Sequence, residues 1–110
     1  MNKDFHDKKL KSFKTMTERW VGVSAKIWEF QTSHSKLVLR IDEKDRKGNL
    51  HIICLGPIFL HGPIKWDANK IKLDFYDDEK GIFYKVSDES VDFYVICEAI
   101  EIKENCAPIY

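Results

Sequence analysis

Between residues 3 and 19 the apolar side chains Phe5, Leu10, Phe13 and Met16 recur three to five positions apart, with Trp20 next in step. Lys8, Lys9, Lys11 and Lys14 fall between them. That period matches one apolar stripe along an α-helix. No proline or glycine interrupts it, and Asn2 or Asp4 can cap its start. The lysines lack glutamates four residues earlier, so side-chain pairs within the helix add little and packing on another element must hold it.

After Trp20 the period drops to two. Val21, Val23, Ala25 and Ile27 alternate with Gly22, Ser24 and Lys26, and then Trp28 and Phe30 change face. A change of face within a strand predicts a bulge or a bend. Leu37, Leu39 and Ile41 alternate with Val38 and Arg40, and the turn-forming stretch 43–49 leads into Leu50–Leu55, so residues 36–55 read as a hairpin. Centring that turn on Arg46 sets residue 40 opposite residue 52, with His51 on the diagonal. A second meander has strands at 70–76, 82–86 and 91–103, joined by the polar turns 77–81 and 87–90. The last strand is apolar on both faces for much of its length, as expected of a central strand covered by the helix.

The expected fold is α+β: one N-terminal amphipathic helix, about residues 3–19, on a curved antiparallel sheet or partly closed barrel of about six or seven strands covering about residues 20–103. A chain of 110 residues fits a single domain over 1–110. With 44% hydrophobic and 13% aromatic residues it has enough apolar surface for one core. The longest apolar run is too short to cross a bilayer, and the N-terminus lacks the apolar stretch of a secretory signal, so a cytoplasmic location and no membrane partner are expected.

Charge adds one feature. The net charge is zero, yet residues 1–72 hold 15 Lys/Arg against 8 Asp/Glu and residues 73–110 hold 3 against 10. Overall neutrality disfavours a nucleic-acid binder. The split fits complementary charge on neighbouring strands, or head-to-tail self-association.

Cys54, Cys97 and Cys106 are widely spaced with no Cys-x-x-Cys, which argues for structural thiols and against a disulfide scaffold or zinc module. Nucleotide, hydrolase and zincin motifs are absent, and the acidic run 77–79 lacks the spaced ligands of a calcium loop. His51, Cys54 and His61 are a zinc-type trio by residue identity, but His51 and Cys54 point to opposite faces of one strand. No metal or cofactor is expected. Arg40, between Leu39 and Ile41, needs a carboxylate such as Glu98 or a bound anion if buried; otherwise it stands on a solvent-facing edge.

The least regular stretch is 56-GPIFLHGPIKWD-67, where two Gly-Pro pairs forbid a long central strand and set two turns. Such a stiff apolar segment either plugs the end of the sheet or forms a contact surface. The function expected is therefore a small binding or protein-interaction domain, acting as a homodimer or on a protein partner through its sheet edges and the Gly-Pro segment. A small apolar or anionic ligand inside the curved sheet fits the same residues. The interface or ligand residues are Arg40, His51, Phe59, His61 and Trp66. The alternative is a cofactor-free enzyme of isomerase or hydrolase type, with His51 or His61 as general base beside Asp67 or Glu98.

Overall fold

The computed structural model describes residues 3–33, 35–44, 47–79 and 81–104. His34 and Cys106 lie outside them, as do the side chains of Phe5 and His6. Helix α1 runs Lys3–Arg19, the span set by the apolar period. It buries Phe13 and Thr17, with Trp20 just beyond its end, and its main strand neighbour is β5, Lys72–Asp78. The Thr17 hydroxyl donates back to Phe13 O at 2.9 Å, so this polar side chain is satisfied inside the packed face. The far end of α1 is tied down as well: Trp20 Nε1 donates to Glu104 Oε2 at 3.1 Å, and Arg19 pairs with Glu104 Oε1 at 3.0 Å.

Seven antiparallel strands form one sheet, in the order β4-β1-β2-β3-β7-β6-β5, that is not closed into a barrel. The other strands are β1 Ala25–Gln31, β2 Lys36–Ile41, β3 Leu50–His61, β4 Lys65–Trp66, β6 Gly81–Asp88 and β7 Phe93–Glu104. The change of face in β1 is a bulge at Trp28: Ile27 pairs with Leu39 and Glu29 with Val38. The β2–β3 hairpin is centred half a residue earlier than expected. Arg40 therefore pairs directly with His51, not with Ile52. Residues 20–24 are turn rather than strand, and the polar stretch 87–90 divides between the end of β6 and a short 3-10 turn at Glu89–Val91.

The first Gly-Pro does not make a turn. β3 runs straight through Gly56 and Pro57, which pairs with Cys97, and a bulge follows at Ile58. The reason lies in strand lengths. β2 pairs with β3 only as far as Leu55, so from Gly56 onward β3 is an edge strand on that side. There the missing N–H of proline costs no ladder hydrogen bond. Gly56, at φ +63, donates its N–H to Ser35 O at 2.7 Å and closes the β2 side of the ladder.

At the same level the buried face of β7 changes phase, from Phe93, Val95 and Cys97 to Ile100. The two 12-residue strands β3 and β7 thus bend together and carry the sheet round a corner. One edge strand reaches the far side of the sheet: Trp66 of β4 packs at a tilt against Phe93 with ring centroids 4.5 Å apart and donates Nε1–H to Asp88 of β6 at 2.8 Å, with four strands between β4 and β6. The enclosed core holds Leu37, Leu39, Ile41, Leu50, Ile52, Val86 and Val95, all closed to solvent. Among the described residues no helix is long and apolar enough to cross a membrane.

Candidate functional site

Leu39 and Ile41 point into the core, so Arg40 between them stands on the outer face of the sheet, and the same alternation sets His51 outward between Leu50 and Ile52. Only 11% of the Arg40 side chain is exposed. Its guanidinium lies over the Trp28 ring, 4.5 Å from the centroid, and Nε donates to Asp42 Oδ2 at 2.7 Å. The partner is therefore a near neighbour in sequence and not Glu98. Arg40 Nη1 and His51 Nε2 are both buried with no hydrogen-bond partner among the described residues. Burial, then the Arg40 charge, holds the His51 imidazole below its ordinary pKa, against a smaller opposing effect of Asp42.

Beyond the bend, Phe59 and His61 are also on the outer face and flank Tyr94 of β7. Phe59 stacks on Tyr94 at 5.7 Å and His61 at 5.3 Å, while Lys85 Nζ sits 5.0 Å from the Tyr94 centroid. The acid beside His61 is Asp92, at 3.0 Å from Nε2. It is neither of the acids that the sequence offered: Asp67 accepts from Ser24 Oγ at 2.7 Å, and Glu98 lies against Gly56. The His61–Asp92 pair is open to solvent on both sides, and Asp92 lines an open groove with Tyr94 and Lys85.

Trp66 belongs elsewhere. At 8% exposure it is a core residue, so the Gly-Pro segment divides. Its Trp66 end plugs the fold, and Ile58, Phe59 and Ile64 are left on the surface at 63%, 54% and 70% exposure. Trp66, Arg40 and His51 consequently do not line a common interior, because two of them face outward and the third is packed inside. Open grooves of about 500 and 400 Å³ flank α1, and another of about 390 Å³ runs over Tyr94, Ser87 and Tyr76 on the outer face.

Cys54 and Cys97 are both buried and unbridged, and the neighbouring Cys97 thiol, together with burial, pushes the Cys54 thiol up. His51 is on the opposite face from Cys54, and among the described residues no three His, Cys, Asp or Glu are grouped to hold a metal ion.

Sequence reading missed Trp28, Tyr94, Asp42 and Asp92 as members of these clusters. The change of face at Trp28 was a usable signal. Tyr94 is found only through the β3–β7 register. The outer face of the open α+β sheet thus carries a cation–aromatic cluster on one side of the bend and an aromatic stack on the other. Compared with models of known families, with curated proteins and with solved structures, the chain matches none.

Proposed function

We propose that the protein is an interaction domain that pairs with a second copy of itself along the free edge of β3. One observation carries this reading. From Pro57 to His61, β3 has β7 on one side and no strand on the other among the described residues, and Ile58 and Phe59 stand exposed there. Open strand edges are ordinarily blunted with charges, proline or bulges, and this one has Pro57 and the bulge at Ile58 but no charged guard. Here no Asp, Glu, Lys or Arg occurs from Gly56 to Ile64, in a chain that is 33% charged. Two copies can lie antiparallel about a two-fold axis without opposing like charges, each burying the other's Ile58 and Phe59.

Light scattering over a range of concentrations tests it. The expected result is a dimer mass for the wild type and a monomer mass for Ile58→Lys and Phe59→Lys. Both positions are exposed, so folding, checked by circular dichroism, should survive. A wild type that stays monomeric at all concentrations overturns the proposal. Trp66→Ala does not serve as the test, because it cuts into the core.

A further inference from the structure

The strand register places five nitrogen-bearing side chains in one line across the outer face. Lys65 pairs with Lys26, Lys26 with Arg40, Arg40 with His51, and His51 with Lys103. Directly opposed residues on one face are the closest cross-strand neighbours, and like charges there destabilise a sheet. At about 4.8 Å per strand the line is about 19 Å long. The acid at this row is Asp42, which is shared between Arg40 at 2.7 Å and Lys26 at 3.7 Å. Lys103 reaches Glu101 only at 3.9 Å. At the middle of the line, Arg40 Nη1 and His51 Nε2 are buried with no hydrogen-bond partner among the described residues. Unpaired buried donors are costly, and a guanidinium donor more so than a neutral one.

We propose that the Lys26–Arg40–His51–Lys103 row binds a phosphate group, seated at Arg40 and His51. Asp42 takes the Nε–H of Arg40, and Trp28 fixes the plane of the guanidinium from one face. Arg40 Nη1 and His51 Nε2 are closed to solvent, so an oxyanion reaches them by displacing the side chains that cover them. A tetrahedral dianion presents several oxygens to a guanidinium edge, an imidazole N–H and two ammonium groups together, which a carboxylate matches less fully. Lys26 and Lys103 flank the pair and have the length to close over a bound oxyanion. The site lies on the first part of the sheet, away from the Pro57–His61 edge, and is independent of self-association.

The test is a titration of the full chain with inorganic phosphate, and separately with glycerol phosphate, against chloride at equal ionic strength. Two readouts are followed: the melting temperature and the His51 ring resonances in NMR, with His61 as internal reference. Phosphate should raise the melting temperature beyond the chloride effect and move His51 while leaving His61 in place. Whichever of the two probes binds more tightly shows whether a free ion or a monoester is the preferred form. Arg40→Gln and His51→Gln should each weaken binding by about tenfold or more, since each removes one charge-assisted or buried hydrogen bond. Arg40 also packs on Trp28, so Lys103→Gln, a change at an exposed position, provides a variant that folds normally and should bind several-fold less tightly. Lys36→Gln, off the row and paired with Glu29, should bind as the wild type does. Equal responses to phosphate and chloride, or equal shifts of His51 and His61, overturn the proposal by reducing the row to general charge screening.

Discussion

Asp88 shows how much one side chain can organise. Its carboxylate is fully buried and accepts from Lys70 N and Trp66 Nε1, both at 2.8 Å, and from Ser90 N at 3.0 Å and the Ser90 hydroxyl. Burial alone would raise its pKa, but these four donors together outweigh it and hold the carboxyl below its ordinary value. A folded-state pKa below the unfolded one means stability that is present above about pH 4, the unfolded range, and lost as the pH falls through the lower folded value. Denaturation at pH 7, 4 and 3 should therefore show a decline that Asp88→Asn removes, and at pH 7 the variant should be about 2 kcal/mol less stable. An unchanged slope in Asp88→Asn would show that other carboxylates set the acid limit. His51 gives the opposite charge type and the same direction. Its folded pKa is also lowered, so below about pH 6.5 the unfolded chain takes up a proton that the folded one resists. Stability should fall from pH 8 to pH 5.5, and His51→Gln should flatten that slope. Neither role was legible locally. Asp88 sits in a stretch whose Ser, Asp and Glu composition reads as an exposed turn, and only the tertiary fold brings Trp66 and Lys70 to it.

At the scale of elements, what a period can encode was legible and what a neighbour decides was not. The limits of α1 and the bulge at Trp28 follow from spacing alone, because both are repeats interrupted at one place. The β2–β3 register was misjudged by one pairing step. Its centre falls between two residues of the turn, and composition does not distinguish that from a centre on Arg46. The Gly56-Pro57 pair was misread for a different reason: proline is excluded from a strand only where a neighbour needs its N–H, and β2 stops one residue short. Gly62-Pro63, by contrast, is the turn that the dipeptide predicts. The two glycines differ in what a side chain would meet. A Cβ at Gly62, φ +122, would lie 2.7 Å from Phe93 Cα, a backbone atom that cannot yield. At Gly56, φ +63, the nearest atoms belong to the flexible Glu98 side chain at 3.0 Å. Gly56→Ala should thus cost about 1–2 kcal/mol, the penalty of the left-handed conformation. Gly62→Ala should cost clearly more, about 3 kcal/mol or above, since strain and overlap combine. Urea denaturation of the two variants checks the order, and equal losses would count against a rigid contact at Gly62.

The whole molecule is held shut by a small polar hub between the ends of the sheet. Asn69, in the short link from β4 to β5, is fully buried. Its side-chain amide donates to Trp20 O at 2.8 Å and Val23 O at 2.6 Å, its Oδ1 accepts from Ile71 N at 3.3 Å, and its backbone bonds Gly22 and Val23. The link therefore fastens the turn after α1 to the two edge strands, next to the Trp66–Asp88 bond that joins β4 to β6. The charge asymmetry of the chain serves the same closure: Arg19–Glu104, Lys72–Glu89 and His61–Asp92 each join the basic first part to the acidic remainder. They are partly or fully exposed, so each adds little beside the buried hub. Replacing Asn69 with alanine removes the two side-chain bonds to Trp20 O and Val23 O, which keep backbone donors, and takes the side-chain acceptor from Ile71 N; it should cost about 2–3 kcal/mol. Because β3 and β7 run through both parts of the bent sheet, neither part has a core of its own, and the loss should appear as one cooperative transition. Tryptophan fluorescence in a Trp28→Phe background, which then reports Trp20 and Trp66 beside the hub, and far-ultraviolet circular dichroism, which reports the sheet, should give coincident midpoints in Asn69→Ala. A fluorescence change that precedes the loss of the sheet would mean instead that the hub opens alone and that the sheet stands without its closure.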